Sequence, residues 1–392
     1  MTLDIPRFDT LEVSGLRVLV RVDFNVPLDG EGRIGDDTRV RAALPTLRAV
    51  LERGGRPILL SHLGRPEGRV VEGLRLDAVA ACLEGHLGRK VRKFDESIGQ
   101  ALERAVCETG DVCMLENVRF HAGETRGDPE LAAAFSRLGQ AFVNDAFGAS
   151  HRDHASVTGP ARHLPSAAGL LLEREIDAFR RVLENPARPL VAILGGAKVS
   201  DKLPVVANLL DRCDALLIGG GMAYTFLRAQ GAETGASLVQ EDQLDAVREN
   251  LEAAEKKGCE LLLPSDHVLA ERFAEDAEPL TSEVIPRGSM GLDIGPRTRE
   301  RYGERIRDAA TVVWNGPMGV FEWKAFRAGT EAVGRAVAAS AGYTVVGGGD
   351  SVAALELFGL SADMDHVSTG GGASLELLEG KVLPGFAALQ AL

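Results

Sequence analysis

The stretch Val345-Val346-Gly347-Gly348-Gly349-Asp350-Ser351 sets a carboxylate directly behind three glycines, where an apolar run gives way to helical composition from Ser351 to Leu357. The glycines permit positive φ and close backbone approach. A strand-loop-helix junction of this kind aims backbone N–H groups at an anion. An Asp beside such amides repels a phosphate unless a divalent cation lies between them, so Asp350 points to a metal-nucleotide rather than a bare phosphate. The simpler alternative is that Asp350 or Ser351 caps the helix. A second glycine loop, Gly195-Gly196-Ala197-Lys198-Val199-Ser200-Asp201-Lys202, carries two ammonium groups four residues apart. If Ser200 begins a helix, both reach one anion; otherwise they are a solvated pair beside Asp201. The chain has 36 Arg and only 8 Lys, and two of those lysines in one glycine loop favour the first reading.

A different chemistry is written earlier in the chain, where arginines and histidines follow short apolar runs. Asp23 and Asn25 follow Leu16 to Val22. His62 and Arg65 follow Pro57 to Leu60. Arg119 follows Val112 to Leu115, and His151 and Arg152 follow Ala141 to Asn144. The guanidinium fork suits carboxylate and phosphate, so these loops together predict a converging anion site. Arg39 opens a helix expected over 38 to 52, at the end where the helix dipole disfavours a cation. That placement suggests a target outside the helix, with a surface pair to Asp36 or Asp37 as the local alternative.

The apolar runs that precede these groups read as strands, and the segments between them (near 76 to 87, 97 to 107 and 129 to 138) as helices, which makes a parallel sheet. Ligands bind outside the carboxyl ends of such strands, where every group above falls. An apolar-periodic segment from Leu170 to Leu183, stopped before Pro186, predicts a connecting helix. The alternation then restarts: Leu190 to Leu194, Ala215 to Ile218, Leu261 to Leu263, Thr311 to Trp314 and Thr344 to Val346 each run into glycine or proline loops, and Gly370-Gly371-Gly372 opens a last helix from Ala373 to Leu378. The expected fold class is α/β, with two doubly wound halves: one for an anionic small molecule, the other for a nucleotide's phosphates.

Bulk properties agree with this reading. A length of 392 residues favours two domains, and 45% hydrophobic with 26% charged residues is a soluble globular composition. No apolar run approaches a membrane span and the N-terminus has no signal-peptide pattern, so neither a membrane nor export is expected. Cys82, Cys107, Cys113, Cys213 and Cys259 are odd in number and scattered, as expected for core thiols in a reducing cytoplasm. The net charge of −13 falls mostly after residue 165, and no basic stripe or aromatic ladder supports nucleic acid as a partner.

No G-x-G-x-x-G directly follows a strand, since the match at Gly30 to Gly35 lies in a polar loop beyond Pro27, and no G-x-x-x-x-G-K-[ST] occurs, which counts against a dinucleotide-dependent oxidoreductase and against an ordinary P-loop. Phosphoryl transfer needs mainly alignment and charge neutralisation. A cationic cradle and a glycine-rich metal-nucleotide loop supply both. Water must be excluded, so the two halves are expected to close when both ligands are bound.

Motifs from end to end resemble the phosphoglycerate kinase family: Arg21-Val22-Asp23-Phe24-Asn25-Val26-Pro27, Asp37-Thr38-Arg39, Ser61-His62-Leu63-Gly64-Arg65-Pro66, Glu116-Asn117-Val118-Arg119-Phe120, Asn144-Asp145-Ala146-Phe147, Gly195 to Val199, Trp314-Asn315-Gly316-Pro317, Gly348 to Ser351 and Ser368 to Ser374. The resemblance implies two Rossmann-like three-layer lobes with parallel sheets, joined by a helix. One is 1–169 with a returning tail 380–392, the other 170–379. It implies Mg2+-dependent transfer between 1,3-bisphosphoglycerate and ADP, giving 3-phosphoglycerate and ATP, in a cytoplasmic, monomeric glycolytic enzyme. Carried over residue by residue, it makes Asp23, Asn25, Arg39, His62, Arg65, Arg119 and Arg152 the phosphoglycerate site, with Arg39 facing the migrating group. Lys202, Gly291, Asn315, Glu322, Gly348, Gly349, Asp350 and Ser351 would hold the nucleotide, with Asp350 on the metal and Lys198 on the transferred group. Gly371 and Gly372 would add amides to the transition state. Two departures, Asp153 after Arg152 and Glu67 after Pro66, bring negative charge where the family pattern has Ala and commonly a base. The weaker alternatives are an oxidoreductase on a similar fold and a nucleotide-binding protein without activity.

Overall fold

The apolar runs are too short and too thoroughly buried for amphipathic helices, and in a computed structural model that describes residues 3–390 they form strands covered on both faces. The first sheet contains β1 (Arg17–Arg21), β2 (Arg56–Leu60), β3 (Val91–Lys93), β4 (Val112–Met114), β5 (Ala141–Asn144) and β6 (Ser166–Ala168), in the order β3-β4-β2-β1-β5-β6. All its pairings are parallel. Its crossovers carry α1 (Thr38–Glu52), α2 (Asp77–Leu87), α3 (Gln100–Glu108) and α4 (Pro129–Ser136). Arg21 pairs in register with both Leu60 and Asn144, so the carboxyl ends of β1, β2 and β5 are level. Valines and leucines of this sheet pack against α1 and α2, each fully buried side chain stabilising by roughly 1.5–3 kcal/mol.

The connecting helix α5 (Leu170–Leu183) starts where the sequence pattern places it. Its first amides are capped from the first sheet: Leu171 N and Leu172 N donate to Asp145 Oδ1 at 3.0 and 3.3 Å, and Leu170 N to Thr46 Oγ1 at 2.9 Å. Gly169 must be glycine, since a Cβ there would lie 2.2 Å from Asp145 Oδ1.

Beyond it come β7 (Leu190–Leu194), α6 (Leu203–Leu210), β8 (Ala215–Ile218), α7 (Met222–Ala229), α8 (Leu244–Lys257) and β9 (Glu260–Leu262). Three further strands, β10 (His267–Ala270), β11 (Leu280–Ser282) and β12 (Met290–Ile294), form a separate antiparallel sheet that the sequence pattern does not predict. Then follow α9 (Pro296–Arg307), β13 (Thr311–Asn315), α10 (Ala328–Ala338), β14 (Tyr343–Gly347), α11 (Gly349–Phe358), β15 (His366–Val367), α12 (Gly372–Leu378) and α13 (Pro384–Gln390). The second large sheet runs β15-β14-β13-β7-β8-β9, again all parallel.

The chain divides into two compact units, one taking residues up to Asp177 with those from Val382 onward, the other Ala178–Lys381. The last helix therefore belongs with the first sheet: Gly385 N donates to Ser150 O at 2.8 Å, and Phe386 stacks on Phe147. Among the described residues no helix is long and apolar enough to cross a membrane. The thiols are not uniformly in the core: Cys113, Cys213 and Cys259 are buried, Cys82 is half-buried and Cys107 exposed, because α3 presents Cys107 on its outer face.

Candidate functional site

In the first unit the strand ends hold a buried polar network. Arg21, the last residue of β1, is fully buried. It donates from Nε to Ser156 Oγ (2.9 Å), from one terminal nitrogen to its neighbour's carbonyl at Val22, and from the other to His62 Nδ1 (3.0 Å). Ser156 in turn donates to the fully buried Glu124 (2.6 Å), whose carboxyl is pushed up by burial against the pull of Arg21. Arginine has no acceptor, so His62 Nδ1 must accept, and a neutral His62 carries its proton on Nε2. Burial, with Arg21, Arg119 and Arg39 close by, drives the His62 pKa well below its ordinary value despite Asp23, so the ring stays neutral.

Around this network stand the charges that the sequence singles out. Asp23 accepts from Arg39 at 3.1 Å and from Asn25 N at 3.2 Å. Burial works to raise its pKa, but His62, Arg39, Arg21 and the Asn25 amide leave it below the usual carboxylate range. Neither Asp36 nor Asp37 takes Arg39: Asp36 accepts from Thr38, and Asp37 from Arg41. The first turn of α1 points Arg39 back toward β1, across 16 residues of chain. Asn25 Oδ1 accepts from Gly64 N (2.8 Å), fastening the β1 loop to the β2 loop. Arg119 donates to Gly64 O (2.7 Å), and its buried Nε has no partner among the described residues. Burial first, then Arg21, and more weakly Arg152, push Arg119 down to about 10. The structure thus brings together Asp23, Asn25, Arg39, His62 and Arg119, with Arg152 within electrostatic reach and Arg65 exposed at the rim. Asp153 turns to Thr158 (2.6 Å) and Arg162 (3.7 Å), which offsets its charge. Glu67 is exposed at φ 55°.

The second unit holds a cavity of about 480 Å³ at the carboxyl ends of β7, β13 and β14. Register explains its position, since Leu194, Asn315 and Gly347 form one row across these three strands. Strand order reverses between β7 and β13, the crevice where doubly wound sheets bind ligands. Close backbone approach builds its floor: a Cβ on Gly195 would meet Pro317 O at 2.1 Å. Trp314, wholly buried, donates from Nε1 to Gly316 O at 2.7 Å and fixes the same loop.

Three helix N-termini open on this cavity, those of α6, α11 and α12, and none has a side-chain cap among the described residues. Gly348, at φ 95°, makes the turn into α11; Gly371, at φ 49°, makes the one into α12. Asp350 lies in the first turn of α11, exposed and lining the cavity, so the cap reading of Asp350 fails. Ser351 does not cap either: its buried Oγ accepts from Gly316 N (2.6 Å) and ties the β13 loop to the helix. Helix α6 begins at Leu203, not Ser200, and Lys202 is its N-cap residue. Lys202 Nζ donates to Asn315 Oδ1, while Asn315 Nδ2, buried, has no partner among the described residues. Burial pushes Lys202 down to about 8 against the pull of Asp350, Asp201 and Glu379. Lys198 is exposed on the cavity wall, and Gly349, Gly371 and Gly372 also line it.

Gly291 and Glu322 do not line this cavity. Gly291 lies in β12, where a Cβ would overlap the Tyr224 phenol, and its N–H donates to Ser237. Exposed Glu322 follows the loop that Val320 N pins to Leu292 O (2.9 Å), so these two residues share an edge of their own. Sequence reasoning missed Arg21, Ser156 and Glu124 as parts of the first half-site. The available signal was Arg21 itself, a charge that directly follows the apolar run Val18 to Val20.

The family model for phosphoglycerate kinase matches residues 8–381. The phosphoglycerate kinase of Moorella thermoacetica is 55% identical over 383 residues, covering 97% of both chains. That of Synechococcus elongatus is 54% identical over 386 residues, 96% of both. The solved phosphoglycerate kinase of Coxiella burnetii superposes with a TM-score of 0.91 at 41% identity, covering 99% of both chains. That of Pyrococcus horikoshii gives 0.84 at 32%, covering 98%. With matches along nearly its whole length, the chain belongs to the phosphoglycerate kinase family and catalyses glycolytic phosphoryl transfer between 1,3-bisphosphoglycerate with ADP and 3-phosphoglycerate with ATP.

Proposed function

We propose that the cavity of the second unit holds the phosphates of Mg2+-ADP or Mg2+-ATP and that the arginine and histidine network of the first unit holds the phosphoglycerate. The observation that carries the first assignment is the meeting of three helix N-termini without side-chain caps, with Lys198, Lys202 and the unpartnered Asn315 amide, around one cavity. Such termini offer N–H groups and a favourable dipole to phosphate oxygens. Asp350 fits a magnesium ligand, since its exposed carboxylate has no ion-pair or hydrogen-bond partner among the described residues. The ion would neutralise charge between nucleotide oxygens.

In the first unit, neutral His62 offers its Nε2–H as a donor, and Arg119 offers the unpartnered Nε–H. Asp23 holds one terminal nitrogen of Arg39, so the guanidinium is oriented while its other N–H groups remain to face the migrating phosphoryl oxygens. Lys198 balances the same charge from the nucleotide side, with the amides at Gly371 and Gly372. Arg65 and Arg152 complete the cationic surroundings of the substrate, and Gly291 and Glu322 take the end of the nucleotide away from its phosphates.

Each unit holds one half of what the reaction needs, so transfer requires the units to close on both ligands. Solution scattering tests this: the radius should shrink in the ternary complex alone, and superimposable curves with and without ligands would exclude it. The activity is tested by following ATP formation from ADP and 1,3-bisphosphoglycerate, with and without magnesium. Undiminished turnover in excess chelator would remove the metal from the proposal. The same reading takes the enzyme as a cytoplasmic monomer, and light scattering on the purified protein tests the second point.

A further inference from the structure

Helix α2 carries Cys82 and His86 one turn apart, which places both on the same face. Facing them is Asp37, the residue before α1. His86 Nε2 and Asp37 Oδ2 are 2.7 Å apart. One donor atom from each of the three residues lies within 4.8 Å of the other two. A tetrahedral zinc ion, with bonds of about 2.0 Å to N and O and about 2.3 Å to S, needs donors about 3.3–3.8 Å apart, a spacing this triad reaches with small side-chain shifts.

We propose that Asp37, Cys82 and His86 form a binding site for a thiophilic divalent cation, zinc, separate from the magnesium-nucleotide site. The donor set selects this class of ion. One thiolate, one imidazole and one carboxylate oxygen suit zinc and give little to magnesium, which wants oxygen throughout.

The surroundings are those of a ligand set with support. Arg41 Nε holds the other carboxylate oxygen, Asp37 Oδ1, at 2.7 Å, leaving Oδ2 for a single metal bond. Asp37 is not needed as a helix cap, because Asp36 accepts from Thr38 N (2.9 Å). Arg48 donates to His86 O (3.1 Å), holding the end of α2 against α1. The side chains of His86 and Asp37 are about a third exposed, at 32% and 33%, so an ion has a path in and water can take the fourth position. On binding, the Cys82 thiol gives its proton to solvent. The imidazole proton moves from Nε2 to Nδ1 through solvent, and the hydrogen bond to Asp37 is replaced by two metal bonds. A bound ion would cross-link the start of α1, two residues from Arg39, to the end of α2.

Cobalt titration of the full chain tests the proposal without relying on activity. The wild type should develop a thiolate-to-cobalt charge-transfer band and tetrahedral d–d bands at one ion per chain, both displaced by zinc. Cys82→Ser should abolish the charge-transfer band, and Cys107→Ser, at the exposed thiol, should leave it intact. His86→Gln should weaken zinc binding by at least about 100-fold, since loss of an outer-shell partner alone costs 10- to 100-fold. Absence of the band in the wild type, or its survival in Cys82→Ser, overturns the site.

Discussion

Arg21 donates to Nδ1 of His62 at 3.0 Å from a fully buried position, and this contact decides which imidazole nitrogen carries the proton. Nitrogen-15 NMR should find His62 as the Nε2–H tautomer, with no titration near pH 6.5, because burial and the surrounding guanidinium groups hold its pKa well below that value. Arg21→Lys cannot serve Ser156, Val22 and His62 together, so the ring should lose its fixed orientation. A drop in kcat/KM for 3-phosphoglycerate on the order of 100-fold is expected, the scale of a misplaced reacting group. A His62 that titrates normally in the wild type would refute the account.

Arg39→Lys keeps the charge and the pairing to Asp23 but loses the planar fork. If the fork acts only on the migrating phosphoryl group, kcat and kcat/KM should fall together, by about 100-fold or more. A raised KM for 3-phosphoglycerate with unchanged kcat would make Arg39 a ground-state binding residue.

Asp350→Asn should weaken Mg2+-ADP binding at least tenfold while leaving metal-free ADP binding unchanged or tighter. The amide loses the charge that a hard cation prefers and removes a repulsion from the bare phosphates. Calorimetric titration with and without magnesium separates these. Equal losses in both conditions would take the metal away from Asp350.

If nucleotide phosphates sit beside the half-buried Lys202, as proposed, their binding should be pH-linked. The Lys202 pKa is about 8 in the free protein, lowered first by burial, and a phosphate beside it should raise that value. Binding near pH 8 to 9 should therefore take up as much as one proton, measured by calorimetry in buffers of different ionisation enthalpy. Lys202→Met should abolish the uptake. For folding the sign is opposite to that of a favourable pair. The unfolded chain binds more protons between about 8 and 10.5, so this group's cost to stability is full below 8 and is relieved as pH rises through that window.

Strand ends and glycine loops were legible because a buried parallel strand leaves a continuous apolar run and the loop after it carries the chemistry. That logic located Asp23, His62, Arg119 and Asn315, each at the end of the expected run. It failed for β10 to β12, whose short strands include the exposed Leu280 and lack an apolar period. It also failed for β6, built of Ser166, Ala167 and Ala168, where small residues give no strand signal. That Arg39 reaches Asp23 rather than Asp36 or Asp37 depends on the direction of the helix turn, which the sequence neighbours do not reveal. The start of α6 at Leu203 rather than at Ser200 is not legible locally, because the Ser200 N–H and hydroxyl are engaged by Gln240, 40 residues away. That Gly291 packs against Tyr224, where a Cβ would overlap the phenol, depends on tertiary contacts that no local pattern encodes.

The bare N-termini of α6, α11 and α12 have a consequence for the lifetime of the fold. A capping side chain is typically worth about 1 kcal/mol to a helix, and under the proposed assignment that contribution would be left to a molecule that comes and goes. The enzyme's resistance to unfolding becomes a function of its environment: at a ligand concentration 100 times its Kd, stability rises by about 2.7 kcal/mol. A well-fed cell would keep its glycolytic catalyst folded with the same molecules that the pathway turns over, and a starved one would expose it first to proteolysis.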